Sequence, residues 1–382
     1  MENKFHGLAL DEPPVRTSGS FKRKLSYVGL SQGRDRLAAT LRLGYWAAQE
    51  QYDPQRLLQY AMRAEVVGFD MIVTSDHFHP WGDTGGQAGF PWIWLASAAE
   101  RTRKVELGTA VTTPMFRYHP ALVAQAFATL DNLYPGRIFI TIGTGHAMNE
   151  IPLGFKWPGV EEKVGRLQEA LEIIQKLWKG DFVTYEGKYF QLNKAKLYTK
   201  PKTKIPLYLA TSNERVARIA GQFSDGILTN PRGLERFNKI VGAMERAAKK
   251  AGRDPSTLSR SMEFKVAYDI DYNRALKSAM FWATTAIPRE KREHVWDPRE
   301  LEALVGPEEE KKIKDSWLIT TDSDDIIKRL GDFLKMGFDR VYIHSASPIE
   351  ERFLNLLGRE ILPWMREYYE SLFRPVRTVT AD

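Results

Sequence analysis

The protein has 382 residues, of which 43% are hydrophobic and 27% are charged, with a net charge of +7. This composition is typical of a globular protein and argues against disorder or a coiled coil, and so mild a positive charge suits an anionic small ligand at least as well as nucleic acid. The absence of cysteine excludes disulfides, thiolate metal sites and cysteine nucleophiles.

Strands and helices are predicted to alternate along the chain. Short apolar runs, of the kind expected for a parallel sheet buried on both faces, predict strands at 41–46, 69–74, 105–109, 137–141, 206–210, 226–229, 263–268 and 340–344. Helices are predicted to begin at Asp53-Pro54, as a cap followed by proline, and to cover about 91–102, 118–133 and 160–179. A hairpin is predicted at about 182–195.

Eight strand–helix units predict an α/β fold, a (β/α)8 TIM barrel over residues 40–373. A doubly wound open sheet is the alternative, but residues 44–47 lack the glycine-rich turn expected after its first strand. Residues 1–39 are predicted to be an N-terminal extension and 374–382 a C-terminal tail. The polar, proline-containing segment 283–318 is predicted to be an insertion or lid at the C-terminal mouth of the barrel.

Hydropathy bears on the location of the protein. No stretch approaches the roughly 20 consecutive apolar residues of a membrane-spanning helix, and the N-terminus lacks the apolar core of a secretory signal. We therefore expect a cytoplasmic protein without a membrane or nucleic-acid partner.

Polar side chains follow four consecutive predicted strands, where a barrel carries its chemistry. They lie at 75–81, 109–114, 143–150 and 211–213. His77 and His146 are the groups best suited to proton transfer near neutral pH, although each could equally be a hydrogen-bonded structural histidine. Ser212 and Asn213 could present helix N–H groups to an anion or simply cap the helix.

Two further patterns in these loops are weaker. The spacing of His77 and His79 is compatible with binding one metal ion. A third ligand is required and none follows in the sequence, so no metal site is predicted. The Gly143-Thr144-Gly145 turn allows the backbone to approach a ligand closely, or is a plain strand-to-helix turn.

Together these loops resemble one family. Ser75-Asp76-His77-Phe78-x-Pro80-Trp81, Gly108-Thr109-x-Val111-x-Thr113-Pro114 and Gly143-Thr144-Gly145-x-Ala147-x-Asn149-Glu150 are similar to the luciferase-like oxidoreductases that use coenzyme F420, in the glucose-6-phosphate dehydrogenase and secondary alcohol dehydrogenase branch. The likeness covers about residues 40–370. It implies a barrel that binds the deazaflavin at its C-terminal mouth and transfers a hydride between it and an alcohol or carbonyl substrate.

The resemblance also assigns roles to residues. It implies that His77 is one member of the catalytic proton-handling pair and that Trp81 supports the substrate face. His146 stands where the family has glutamate, and we expect it to keep the acid/base role as the second member of the pair. A non-prolyl cis bond is implied between Ala110 and Val111. The implied contacts with the coenzyme and its tail are Asp76, Ala110, Val111, Thr113, Thr144, Gly145, Asn149, Ser212, Asn213, Arg215 and Val216.

Substrate contacts are predicted at Trp46, Asn230, Arg232 and Arg292. The family's phosphate-binding set is only partly kept, because Asn230, Gly233 and Ser316 stand at three of its positions. An uncharged alcohol or carbonyl substrate is therefore preferred. A sugar-6-phosphate dehydrogenase, an FMN-dependent monooxygenase and a non-catalytic F420-binding protein remain alternatives, and the resemblance implies a homodimer.

Overall fold

A computed structural model describes residues 40–230 and 233–373 of the chain. The predicted N-terminal extension, the C-terminal tail and Arg232 lie outside these residues. Their predicted roles, and the division of the chain into extension, barrel and tail, stay predictions.

Eleven strands lie in the described ranges. In chain order they are β1 Arg42–Ala47, β2 Met71–Thr74, β3 Glu106–Thr112, β4 Ile138–Ile142, β5 Val183–Glu186, β6 Gln191–Ala195, β7 Leu207–Ala210, β8 Gly226–Leu228, β9 Ser259–Tyr268, β10 Leu318–Thr320 and β11 Arg340–Ser345. Eight of them pair in parallel in the order β9-β11-β1-β2-β3-β4-β7-β8, and β8 pairs with β9 to close the ring. The predicted (β/α)8 barrel is confirmed, as is the antiparallel hairpin, formed by β5 and β6.

Helices connect the strands and surround the ring. They are α1 Pro54–Val67, α2 Pro91–Arg101, α3 Pro120–Leu133, α4 Ala147–Glu150, α5 Val160–Lys179, α6 Glu214–Phe223, α7 Leu234–Lys250, α8 Tyr272–Ala279, α9 Arg289–Arg292, α10 Pro298–Ala303, α11 Pro307–Ser316, α12 Ser323–Lys335, α13 Glu350–Leu356 and α14 Leu362–Phe373. As predicted, α1 begins at Pro54, and the Asp53 side chain accepts from the backbone N–H of Gln55 at 3.1 Å and of Arg56 at 3.0 Å. None of the described helices combines the length and apolar content that crossing a membrane requires.

The strands are apolar because both of their faces are buried. Outward side chains pack against the helices in one large core, and inward side chains such as Met71, Phe139, Tyr208 and Tyr342 form a second cluster inside the barrel. Gly108 makes room for this filling, since a Cβ there would lie 2.5 Å from the Phe139 ring. The barrel is thus a packed core, and ligands must approach from its ends.

The insertion after α8 lies against the loop that follows β2. Glu302 accepts hydrogen bonds from the backbone N–H and hydroxyl of Thr84 at 2.7 and 2.9 Å. A ring nitrogen of His79 contacts the carbonyl oxygen of Trp296 at 3.1 Å. These contacts place the insertion beside the β2 loop, which carries the predicted catalytic residues.

Candidate active site

Three aromatic side chains predicted to be catalytic come together at the strand ends. The ring centroids of His77 and His146 lie 6.0 Å apart with nearly parallel planes. The Trp81 ring lies edge-on to both, 5.3 Å from His77 and 5.0 Å from His146. The loops after β2 and β4 therefore bring the two imidazoles and the indole into one cluster.

Each ring nitrogen of His77 lies near a polar side chain from another part of the chain, Asn149 of α4 or Glu50 of the loop after β1. The Asn149 oxygen accepts from the backbone N–H of Phe78 at 2.9 Å, which turns its amide nitrogen toward His77 Nδ1 at 3.2 Å. Nδ1 is therefore the acceptor and the neutral ring carries its proton on Nε2, an assignment that rests on this network. Glu50 Oε1 lies 3.4 Å from that Nε2.

Burial reverses the expected titration order of these groups. Burial, with a contribution from Arg117, lowers the pKa of His77 to about 3. His146 is exposed, whereas His77 is partly buried. Even so, the protein packed around His146 and the charge of Arg292 lower its pKa well below the usual histidine value. Burial raises the pKa of Glu50 to about 7 even though the Ser75 hydroxyl donates to it at 2.6 Å. The prediction that the two imidazoles are the groups best suited to proton transfer near neutral pH stays a prediction, and the Glu50 carboxyl behind His77 is the neighbouring group whose pKa lies near neutrality.

Asp76 belongs to a buried polar network beneath this cluster. Its carboxylate accepts from the Thr112 hydroxyl at 2.7 Å, from Arg117 at 2.8 Å and from the Tyr118 hydroxyl at 3.1 Å. Arg117 also contacts Glu150, donating its backbone N–H at 3.0 Å. This network anchors the loop that carries His77, and the predicted contact between Asp76 and the coenzyme stays a prediction.

The end of β3 and the loop after β4 form a partly exposed surface beside the histidines. The bond between Ala110 and Val111 is cis, as the resemblance implies. Gly145 has φ of +70°, and a Cβ there would lie 2.7 Å from Thr113 Cγ2. Val111, Thr144 and Gly145 are all partly exposed, so a ligand can reach this surface, which fits the implied coenzyme ring.

The predicted tail-binding residues lie at the start of α6. The Asn213 side chain accepts from the backbone N–H of Val216 at 3.0 Å, so Asn213 caps the helix. Arg215 forms an ion pair with Glu161, and the Ser212 carbonyl accepts from Arg236 at 2.8 Å. Contacts with an anionic tail would therefore depend on backbone N–H groups of α6, or on release of Arg215 from Glu161.

The predicted substrate residues fall into two groups. Arg292 in the insertion lies 5.0 Å over the Trp81 ring, next to the histidines. Trp46 stacks on His344 at 5.4 Å, and Asn230 donates to Glu263 at 3.2 Å, in the part of the mouth formed by β1, β8, β9 and β11. Arg232, outside the described residues, has no described position.

Three residues of the site escaped sequence reasoning. Glu50 lies three residues beyond β1, inside a polar run without a motif. Glu263 and His344 form a pair 2.6 Å apart, although His344 follows an apolar run just as His77 does. The rule that found His77 could therefore have found His344. Among the described residues, no three His, Asp or Glu side chains are grouped so that they could hold a metal ion.

A closed parallel barrel with its polar and aromatic residues at the strand ends defines the class of protein. Residues 37–331 match the luciferase-like monooxygenase family, and the chain belongs to it. It is 38% identical over 333 residues to an F420-dependent glucose-6-phosphate dehydrogenase of Mycolicibacterium gilvum, and 39% identical over 334 residues to one of Rhodococcus erythropolis; each match covers 86% of this chain and 99% of the relative.

Solved structures agree with this assignment. An F420-dependent secondary alcohol dehydrogenase in complex with an F420-acetone adduct superposes with a TM-score of 0.81 at 35% identity, covering 85% of this chain and 99% of that one. The F420-dependent tetrahydromethanopterin reductase of Methanopyrus kandleri, at 23% identity and a TM-score of 0.68, shares the fold. The family resemblance inferred from the loop motifs is confirmed.

Proposed function

We propose that the protein is a coenzyme F420-dependent oxidoreductase that interconverts a secondary alcohol and its carbonyl compound. The observation that carries the proposal is the cluster of His77, Trp81 and His146 with the Glu50 carboxyl behind it, beside the accessible loops after β3 and β4. The names and coverage of the relatives support the choice of coenzyme. When bound, the deazaflavin supplies a two-electron hydride carrier.

The chain's own residues then handle the proton of the substrate oxygen. His77 Nε2–H can donate to a carbonyl oxygen as it is reduced. Protonated Glu50, whose Oε1 lies 3.4 Å from that Nε2, supplies the proton to the same oxygen, because one imidazole nitrogen cannot give up its N–H and take a second proton in a single step. Alcohol oxidation runs the same transfers backward and requires ionised Glu50.

His146 is proposed to act as a neutral hydrogen-bond partner of the same oxygen. Its pKa lies below the usual histidine value, which favours the uncharged ring, whereas a glutamate at this position would be anionic. His146 therefore adds no negative charge near Arg292, whose positive charge acts on this part of the mouth. That charge would stabilise negative charge that develops on the substrate oxygen during hydride transfer.

Positive charge at the mouth favours a second candidate function, oxidation of a sugar phosphate. Arg289, Arg292 and Lys163 all act electrostatically on His146. Against this, Lys163 is already paired with Glu293 at 2.8 Å, and the family's other phosphate-binding positions hold Asn230, Gly233 and Ser316. We therefore retain the preference for an uncharged substrate.

Coenzyme titration followed by an anaerobic substrate screen tests the proposal. Deazaflavin absorbance should fall with secondary alcohols, and His77→Ala and His146→Ala should lower turnover about 100-fold or more while F420 still binds. Faster turnover of glucose 6-phosphate would select the second candidate. Full turnover by His146→Ala would contradict its role, and retained FMN with oxygen consumption would select a monooxygenase instead.

A further inference from the structure

A set of aromatic rings encloses His344 near the end of the last barrel strand. Trp46 stacks on the buried imidazole with centroids 5.4 Å apart and planes 12° apart. Trp282 and Trp317, from the insertion, lie edge-on at 4.5 and 5.0 Å. We call Trp46, Trp282, Trp317 and His344 the aromatic chamber. Trp46 is its partly exposed wall, and the other three members are buried.

The chamber contains one acceptor and two donors that lack partners. Despite burial, Lys265 and His344 lower the pKa of Glu263 to about 2, so its carboxylate is ionised and accepts from His344 Nδ1 at 2.6 Å. Burial also lowers the pKa of His344, and the neutral ring then offers Nε2 as an acceptor. Among the described residues, neither this Nε2 nor the Nε1 atoms of Trp282 and Trp317 have a hydrogen-bond partner.

These three atoms indicate the chemistry of the missing partner. Buried polar groups in folded proteins are almost always paired, because leaving them unpaired is costly. A hydroxyl group can donate to His344 Nε2 and accept from an indole N–H, whereas a carboxylate or phosphate oxygen can only accept. Behind His344, the negative charge of Glu263 is paired with Lys265 at 3.6 Å, so this pair offers no net charge to attract an anion. The indole faces suit the C–H groups of an uncharged ligand.

The chamber lies on the side of the mouth opposite the proposed coenzyme surface. Its rings come from β1, β11 and the insertion, whereas the predicted coenzyme contacts follow β2, β3, β4 and β7. Trp81, which contacts both catalytic histidines, packs in the same apolar cluster as Trp46, Trp282 and Trp317. The chamber is therefore continuous, through this cluster, with the ring that lies beside the catalytic histidines.

We propose that the aromatic chamber binds a second, non-reacting hydroxyl group of the substrate, with His344 Nε2 as its acceptor and the indole N–H groups of Trp282 and Trp317 as its donors. The substrate class is then a polyol or an uncharged sugar instead of a simple secondary alcohol. This inference deepens the proposed function and rests on it.

A pair of alcohols that differ by one hydroxyl group tests the chamber. We compare kcat/KM for 1,2-propanediol and 2-propanol with F420 in the wild type and in Trp282→Phe and Trp317→Phe, which keep a ring but lose the N–H. The wild type should prefer the diol at least tenfold, and each variant should lower that preference roughly fivefold, as expected for one neutral hydrogen bond. His344→Phe should abolish it; if this variant does not fold, the tryptophan variants still decide.

The control is Trp364→Phe, whose ring stacks on Tyr368 in α14 away from the mouth and whose loss should leave the preference unchanged. A wild-type preference below twofold, or variants that slow both alcohols equally, overturns the chamber. If neither alcohol reduces F420, the proposed function fails instead. Calorimetric titration with D-sorbitol then tests hydroxyl binding by the chamber without catalysis. Fivefold weaker binding by Trp317→Phe than by the wild type supports the proposed hydroxyl site, and absence of binding to the wild type refutes it.

Discussion

Replacing Glu50 by glutamine should separate catalysis from stability. The change removes the only carboxyl beside His77 Nε2 in the described site, 3.4 Å away, and general acid–base catalysis contributes about 100- to 10,000-fold. We therefore expect kcat to fall within that range in both directions. In the wild type, kcat/KM should rise with pH through about 7 for alcohol oxidation and fall through the same pH for carbonyl reduction, since the pKa of Glu50 is about 7. Both pH dependences should disappear in the variant.

The same substitution should stabilise the protein above neutral pH. The pKa of Glu50 rises from 4.5 to about 7 on folding, so the folded state holds its proton more tightly. Below pH 4.5 the carboxyl is protonated in both states and costs nothing. Between pH 4.5 and 7 ionisation progressively destabilises the fold, and above pH 7 the cost is complete at about 3 kcal/mol, at 1.36 kcal/mol per pH unit. Denaturant unfolding of Glu50→Gln at pH 5 and pH 8 measures this difference.

Glu350→Gln is the matched control. Glu350 is also buried with a pKa raised to about 7, but it accepts from the hydroxyls of Tyr45 and Ser345 and, among the described residues, forms no ion pair with a histidine. It should show the same gain in stability above pH 7 with unchanged kcat. Equal activity of Glu50→Gln and the wild type, or equal losses in both variants, would refute the proposal that Glu50 exchanges the proton of the substrate oxygen beside His77.

Three further predictions concern the network and loops around the site. Arg117→Met should lower the free energy of unfolding by about 3–5 kcal/mol, because it leaves buried acidic groups uncompensated, and Asp76→Asn in the same chain should recover part of the loss in a denaturant titration. Gly145→Ala should cost about 1–2 kcal/mol for an alanine at positive φ and weaken F420 binding, measured by fluorescence titration, because its Cβ would displace Thr113. The stability that Glu263 contributes should be complete above pH 4.5 and lost as pH falls toward 2, and Glu263→Gln should flatten acid unfolding in that range.

The sequence was sufficient for the barrel because its strands and helix starts follow local rules. A strand buried on both faces must be apolar along its whole length, which made β1, β2 and β4 visible as short runs. Asp53 and Pro54 fix the start of α1 by capping and by a preset φ, and neither needs tertiary contacts. By contrast, β9 begins at Ser259, four residues before the predicted start, because its polar first residues are paired by the neighbouring strands β8 and β11.

The site was predictable only where its residues are adjacent in sequence. His77 and Trp81 share one loop and one motif, so their proximity follows from the chain itself. Glu50 reaches His77 because β1 and β2 are parallel neighbours whose ends meet, and Glu263 reaches His344 because β9 pairs with β11 in the register that places Tyr342 opposite Glu263. Such contacts depend on register, which composition and spacing do not determine.

Protonation states were the least predictable property because they depend on burial more than on residue type. Histidine in water has a pKa near 6.5 and glutamate one near 4.3, so residue identity alone assigns the proton exchange at neutral pH to His77. Enclosure disfavours the charged form of both groups, which lowers the pKa of the imidazole and raises that of Glu50. The two shifts cross, so in the proposed mechanism the imidazole of this buried His–Glu pair stays neutral and the carboxyl titrates. The resemblance places His146 where the family has glutamate, and in the proposed mechanism a second neutral ring there adds no negative charge beside Arg292.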